Sequence, residues 1–265
     1  SRKSQTTRNN ILGIKTKDNH QMVFIDTPGV HINASKVMNK VLNQSALGAI
    51  EDADLIIFML QRNKINTLDE LILERLKGIK TKKLCVINKL DQVASKNSLL
   101  PVIEKLRSEY DFAEIIPVSA KTGKNINELE NMICQNLPEN NHLYDSDTKF
   151  LAKESFMISE IIREKIIRFL GEELPHETYV QLQKLEDKEN IINIDAEIIV
   201  ARESQKGIVV GKNGAKLKKI GEKARIDLEK FFNKKVFLKT WVKTKKNWNN
   251  DSDFISSLGI GSLYD

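Results

Sequence analysis

Cysteine, histidine and long apolar runs are scarce in this chain of 265 residues, which holds two cysteines and four histidines. Cys85 and Cys134 are too few for a disulfide framework. Both fall in apolar periodic segments, so buried free thiols in a reducing cytoplasm are expected. His142 and His176 have no partners at metal-ligand spacing and read as surface residues. No apolar run approaches the roughly 18–20 residues of a membrane span, and no signal peptide opens the sequence. Internal repeats and long low-complexity tracts are missing as well. Ser1 rather than Met stands first, which suggests a processed product or a fragment. What is present, 40% hydrophobic and 29% charged residues, describes a globular chain long enough for two domains.

Charge is unevenly placed. Between residues 206 and 246, thirteen Lys and one Arg face three acids, Glu222, Asp227 and Glu229, a net of +11. The whole chain carries only +6, which leaves −5 for everything outside that stretch. A basic module joined to a mildly acidic one is the electrostatic footprint of a polyanion binder.

The first half alternates strand-like and helix-like segments. A hairpin is expected over 9–17 and 20–26 around Asp18-Asn19, then apolar strands over 54–60, 84–87 and 114–118. Helical patterns fall near 35–50, 67–78, 96–108 and 126–137. The alternation predicts a doubly wound α/β domain over residues 1–138. A polar linker follows over 139–148, and a second, α+β domain over 149–265. That second domain is expected to contain a helix over 149–171, strands near 177–185 and 193–202, a helix–turn–helix over 205–232 and a strand over 236–243. The order α-β-β-α-α-β resembles that of a type II (bacterial) K-homology, or KH, RNA-binding domain.

Four short segments in the first domain suit a guanine nucleotide and Mg²⁺. Thr6 and Thr7 precede the first strand, where a threonine hydroxyl could ligate Mg²⁺. Asp26-Thr27-Pro28-Gly29 ends the second strand; Asp26 would reach Mg²⁺ through water and the Gly29 amide a γ-phosphate, since no Cβ intervenes. Asn88-Lys89-Leu90-Asp91 follows a later strand. The Asp91 carboxylate can accept from both N1–H and the exocyclic amine of guanine, a pair that adenine does not offer. Ser119-Ala120-Lys121 follows the last strand, with the Ala120 amide expected to donate to guanine O6. Each segment is weak alone, but together they mark the carboxyl ends of strands, where open α/β sheets bind ligands. No Gly-x-x-x-x-Gly-Lys-Ser/Thr phosphate loop occurs among these residues.

In the second domain, Gly211-Lys212-Asn213-Gly214 lies between two expected helices. A Gly-x-x-Gly loop lets backbone approach RNA and clamp about four nucleotides. Lys212, Asn213, Lys216, Lys218 and Lys219 supply cations and polar donors. Ile208, Val209 and Val210 are expected to pack the preceding helix. The lysines of 234–241 have an alternative reading as protection of a solvated edge strand, since not every lysine there need touch RNA. Phe231, Phe232, Phe237 and Trp241 are expected in the core rather than as base-stacking platforms.

Along its full length the chain resembles the Era family of bacterial ribosome-associated GTPases, TrmE-Era-EngA-like GTPases with a C-terminal KH domain. The match is carried by residues 1–8 (Ser-Arg-Lys-Ser-Gln-Thr-Thr-Arg), 26–31 (Asp-Thr-Pro-Gly-Val-His), 88–91 and 119–123 (Ser-Ala-Lys-Thr-Gly). In the second half it rests on 161–165, 168–170, 211–214 and 241–243. The resemblance implies a P-loop-type G domain that binds GTP or GDP with Mg²⁺, and a KH domain that holds the 3′ end of small-subunit ribosomal RNA during assembly of the small ribosomal subunit. It also implies a cytoplasmic monomer; peripheral contact with the inner face of the cell membrane, through the basic face, is a further expectation without an anchor. The alternative is an RNA-binding protein whose G domain is a non-hydrolysing remnant. Val30 stands where many GTPases place a water-orienting Gln, so hydrolysis is expected to be slow and no general base is assigned.

Family members carry a strand, the phosphate loop and a helix ahead of the position of Ser1, and that strand lies between those expected here at 21–26 and 55–60. Without it two strand edges should face each other across a gap of about 10 Å. GTP turnover by this chain is therefore expected to be negligible beside that of a version carrying the loop. Equal rates of phosphate release from the two would refute this.

Overall fold

A computed structural model of the chain describes residues 11–29, 36–170 and 177–260. The expectations for Thr6, Thr7, Val30, His31 and His176 lie outside those residues. The hairpin forms as β1 (Ile11–Lys17) and β2 (His20–Asp26), and its turn places Asp18 in the left-handed region at φ 52°, a conformation that short Asx side chains tolerate.

Three parallel strands follow, β3 (Leu55–Gln61), β4 (Lys82–Asn88) and β5 (Glu114–Pro117), in the order β3-β4-β5. In β4, Leu84, Cys85, Val86 and Ile87 are at most 1% exposed, because the strand is covered on both faces. Helices α2 (Thr67–Leu76) and α3 (Leu100–Glu109) place Leu73, Leu76 and Leu106 against Cys85 and Ile87. From the other side, α4 (Ile126–Asn136) sets Ile133 against Leu84. This is the doubly wound arrangement, and it makes Cys85 an inert core thiol, with burial pushing its pKa to about 12. Cys134 is half-buried.

The hairpin belongs to a separate sheet, ordered β2-β1-β6, whose last strand is Phe150–Leu151. Among the described residues β2 and β3 are not paired with each other. Phe24 and Met59, on those two strands, are 38% and 57% exposed.

Helix ends shift from the pattern for local reasons. The helix expected from 96 opens as a 3-10 turn, and α3 starts at Leu100 with Pro101 in its first turn, where a missing N–H costs nothing. The helix expected over 149–171 is Glu154–Phe169, here α5, because Phe150 and Leu151 pair with Gly13 and Leu12 of β1 instead. The polar stretch before it is strapped down as well. Gln21 Oε1 accepts from the Leu143 and Tyr144 amides (2.8 and 3.0 Å) and its Nε2 donates to the Tyr144 carbonyl (2.8 Å).

The second half has the expected order: α5, then β7 (Thr178–Asp187), β8 (Ile191–Val200), α6 (Glu203–Val210), α7 (Ala215–Phe232) and β9 (Lys235–Thr244). β8 is central, antiparallel to β7 and parallel to β9. Ile158, Ile162 and Ile166 of α5 and Ile220, Ala224 and Leu228 of α7 recur at helical spacing and are 0% exposed against Ile194 and Ile198 of β8. Each such buried Ile or Leu side chain is worth about 1.5–3 kcal/mol. Among the described residues no helix is long and apolar enough to cross a membrane.

A third core joins the halves. The helix that follows Asp-Thr-Pro-Gly, α1 (Val37–Glu51), packs Met38 and Leu42 against Ile199, Ala201, Trp248, Ile255 and Leu258. The last two residues belong to or adjoin α8 (Ser252–Ser257). Trp248 is fully buried, its ring beside Tyr179 and Phe254, and its indole N–H donates to the Glu177 carbonyl at 3.1 Å. Trp248→Ala should cost about 3–5 kcal/mol in urea unfolding. A loss below ~1 kcal/mol would mean that this junction does not stabilise the fold.

Candidate guanine-reading and RNA-binding sites

The guanine-reading corner is built by the parallel pairing of β4 with β5. Ile87 pairs with Pro117, Val118 N–H donates to the Ile87 carbonyl at 2.8 Å, and Leu90 N–H donates to the Val118 carbonyl at 3.0 Å. The register thus sets the loop after β4 beside the loop after β5. Asn88 closes the gap between them, its Oδ1 accepting from the Lys89 amide (2.7 Å) and the Ala120 amide (3.1 Å). Two N–H donors on one side-chain atom fix which end of the amide is oxygen. Lys89 takes a left-handed backbone, φ 65°, which turns the chain so that Asp91 faces the second loop.

Ser119 is fully buried and its hydroxyl donates to Asp91 Oδ1 at 2.7 Å while accepting from Thr122 N–H at 3.3 Å. Asp91 itself is exposed. The Ser119 hydrogen bond, helped by Lys121 and Lys89, holds its carboxyl below the usual aspartate range. The corner therefore presents an oriented, ionised carboxylate to solvent, the group that guanine's paired donors require. The Ala120 amide, expected to meet guanine O6, is occupied by Asn88 here, so a guanine oxygen would share or replace that bond. Lys121 is exposed.

Asp26 stands exposed at the end of β2, followed by half-buried Thr27, buried Pro28 and exposed Gly29. A carboxylate oxygen is a hard donor of the kind Mg²⁺ takes alongside phosphate oxygens and water, so Asp26 fits the role foreseen for it. Among the described residues no cluster of three or more His, Cys, Asp or Glu could hold a metal by itself. Sequence reasoning missed Asn125, whose side chain donates to the Pro117 carbonyl at 2.8 Å from a left-handed backbone at φ 60° and braces the loop after β5. An Asn just before an apolar helical stretch was the available signal.

In the second domain α6 ends at Gly211 and α7 begins at Ala215, with Gly211-Lys212-Asn213-Gly214 as the corner. The two glycines are needed for different reasons. Gly211 lies at φ 72°, ψ 176°, a region open essentially only to glycine. A Cβ there would stand 2.8 Å from Lys216 Cγ and 2.9 Å from its Cβ. Gly214 is left-handed at φ 76°, ψ 5° with open space around it. A side chain at 211 would therefore strike the stem of Lys216.

Lys212, Asn213, Lys216, Lys218 and Lys219 are all exposed. Lys219 Nζ lies 5.3 Å from the centre of the Phe169 ring. Lys206, Lys212, Lys216, Lys218, Lys219 and Lys223 form no ion pair among the described residues. Further along, Lys234 pairs with Asp187 (2.7 Å), Lys243 with Glu197 (3.6 Å) and Lys245 with Asp251 (2.9 Å). Six lysines without an ion pair thus surround the Gly-x-x-Gly corner, while Lys235, Lys239 and Lys246 are further lysines of the stretch that form none among the described residues.

Three apolar expectations, for Ile208, Phe231 and Phe237, are corrected. Val209 is buried, but Ile208 is 44% exposed beside the corner. Phe237 is 56% exposed and not in the core, because the alternation of β9 turns Val236, Leu238 and Val242 inward and residue 237 outward. Phe232 packs on the core, with Phe231 edge-on to it at 4.8 Å and 37% exposed. Trp241 is half-buried and donates to Glu197 at 2.9 Å.

Comparison with known proteins finds a GTPase family and a KH domain family in this chain. A family described as 50S ribosome-binding GTPase matches residues 1–89, and the KH domain family matches residues 173–249. GTPase Era of Coxiella burnetii is 44% identical over 260 residues, covering 98% of this chain and 88% of its own length. That of Haemophilus influenzae is 43% identical over 260 residues, covering 98% and 86%. Among solved structures, Era in complex with MgGDPNP and nucleotides 1506–1542 of 16S ribosomal RNA superposes with a TM-score of 0.94 at 33% identity, covering 99% of this chain and 89% of that one. Aquifex aeolicus Era bound to GDP·AlF4⁻ gives a TM-score of 0.93, also at 33% identity, covering 99% and 90%.

Ser119→Ala should bring the Asp91 carboxyl back up toward the ordinary aspartate range. On acidification the variant's carboxylate then protonates at a higher pH than the parent's, as a carbonyl-detected NMR titration would record; an unmoved titration would dismiss the Ser119 bond as the cause. Gly214→Ala should cost about 1–2 kcal/mol for its left-handed backbone, and Gly211→Ala more, since it adds a collision. The reverse order in thermal unfolding would contradict the assignment.

Proposed function

The chain belongs to the Era family of GTPases, and on that premise we propose that it is a GTP-binding and GTP-hydrolysing, RNA-binding factor of small-ribosomal-subunit assembly that holds the 3′ end of small-subunit ribosomal RNA. The observation that carries the proposal is the presence in one chain of an exposed, ionised Asp91 fixed by Ser119 and a Gly-x-x-Gly corner ringed by unpaired lysines. The RNA in the solved Era complex belongs to the small subunit. That favours the small subunit over the 50S association in the family description, which concerns residues 1–89 alone.

At the nucleotide side, Asp91, Asn88, Lys89, Ser119, Ala120 and Lys121 select and orient guanine. Asp26, Thr27, Pro28 and Gly29 would face the phosphates, with Thr6 and Thr7 as further candidates, and Asp26, through water, and Thr7 would hold Mg²⁺. When bound, Mg²⁺ would neutralise phosphate charge. At the RNA side, Gly211 and Gly214 let the backbone come close, and Lys212, Asn213, Lys216, Lys218 and Lys219 meet phosphates and bases. The N-terminus of the 18-residue α7 adds a partial positive charge at the same place. Exposed Ile208 offers an apolar surface to a base. The functional units are residues 1–138, 139–148 and 149–265; the protein acts as a cytoplasmic monomer, with its basic face available for peripheral contact with the inner face of the cell membrane.

Asp91→Asn should shift preference from guanine toward xanthine nucleotides in a working G domain, read by competition binding. A remnant domain would show no change, which would favour a purely RNA-binding protein. Lys212→Ala should weaken binding of a small-subunit RNA 3′-end oligonucleotide and reduce the salt slope of its affinity by about one. Gly211→Asp combined with Gly214→Asp should abolish that binding; retained affinity would refute the clamp.

A further inference from the structure

Glu177, just before β7, receives contacts from three parts of the chain that are distant in sequence. Its Oε1 accepts from Lys36 Nζ at 2.6 Å, and its Oε2 accepts from the Gln205 side-chain amide. Its carbonyl accepts the Trp248 indole N–H. Burial opposes the charge of the carboxyl, but Lys36, Gln205 and the neighbouring Arg202 outweigh it and hold the group below the usual glutamate range.

Each partner leads to one of the two sites. Lys36 is the residue immediately before α1, and its carbonyl accepts the Asn39 and Lys40 amides of the first helical turn (3.0 and 3.3 Å). Seven residues earlier in the chain lies Gly29 of the nucleotide-side segment. Gln205 sits in the first turn of α6, and its Oε1 accepts the Ala201 and Arg202 amides (2.9 and 3.0 Å), capping donors that the helix leaves unpaired. Both ends of the Gln205 amide are thus committed, so it cannot turn toward another partner without uncapping α6. That helix has only eight residues and ends at Gly211, whose amide donates to the Gly207 carbonyl at 2.9 Å. Its start and the clamp are separated by about 12 Å along the axis.

We propose that Glu177 is a positioning residue that joins the nucleotide-side helix α1 to the RNA clamp: when Lys36 leaves its carboxylate, Gln205 loses its fixed orientation, the start of α6 loosens and RNA is held less tightly. The inference rests on the reading of residues 211–214 as the RNA clamp. It adds a route by which events at Asp-Thr-Pro-Gly reach that clamp, and by linkage RNA binding must be felt equally at α1. A static ion pair between two docked domains would hold them together without altering α6.

The test uses the whole chain with Lys36→Met and Glu177→Gln, and with Lys40→Met as a control for lost charge on an exposed face of α1. Amide hydrogen exchange is followed at 205–211 and, for reference, in β8, while affinity is measured for an oligonucleotide of the small-subunit RNA 3′ end. Lys36→Met and Glu177→Gln should each speed exchange in α6 and weaken RNA binding by about tenfold, with β8 and the Lys40→Met control unchanged. In the parent, RNA should slow exchange at 37–41, and Glu177→Gln should remove that effect. Unaltered α6 exchange, or unaltered affinity, in both variants overturns the proposal. If Gly211→Asp also leaves affinity intact, the clamp reading has failed and the proposal falls with it; if Gly211→Asp abolishes binding while the Lys36 and Glu177 variants are silent, only the proposal fails.

Discussion

The parallel register of β4 against β5 is the constraint on which the nucleotide site depends. A strand buried on both faces can slide only by exchanging its buried contacts, so Leu84, Cys85, Val86 and Ile87 fix where β4 ends to the residue. That end delivers Asn88 beside Ala120 and Asp91 beside Ser119. The selective group is then an exposed carboxylate whose position is set by a fully buried hydroxyl. Rigidity comes from the core and chemistry from the loops, as in other open α/β sheets.

The second site follows a different logic, in which charge is placed by leaving it unpaired. The basic stretch that dominates the sequence divides in the folded chain. Lys234 just before β9, Lys243 on it and Lys245 after it are answered by Asp187, Glu197 and Asp251, whereas among the described residues those around Gly211 and Gly214 form no ion pair. On the proposed reading, the same residue type serves two ends: shielding an edge strand and facing a polyanion. The core around Trp248 packs the two halves together, since α1 contributes to it from the first and Ile199 of β8 from the second.

Much of this was legible in the sequence because the signals are local. The hairpin, the three apolar strands, the α-β-β-α-α-β order and both glycines of the clamp follow from periodicity and turn chemistry. What escaped depends on distant partners. Phe150 and Leu151 read as the start of a helix, yet β1 offers an edge that captures them. Phe237 read as core because it is aromatic, but strand alternation, once fixed by Val236 and Leu238, leaves it outside. The Ala120 amide was assigned to a ligand, and only three-dimensional structure reveals that Asn88 reaches it from 32 residues away. Glu177 carried no sequence signal at all, since its partners lie at Lys36, Gln205 and Trp248.

The most direct test is to map where RNA touches the chain, by recording backbone amide chemical shifts while titrating in an oligonucleotide of the small-subunit RNA 3′ end. The largest changes are predicted at residues 206–219, centred on Gly211-Lys212-Asn213-Gly214 and the start of α7. Changes confined to the outer face of β9, at Phe237 and Lys239, with residues 211–214 unmoved, would contradict the account.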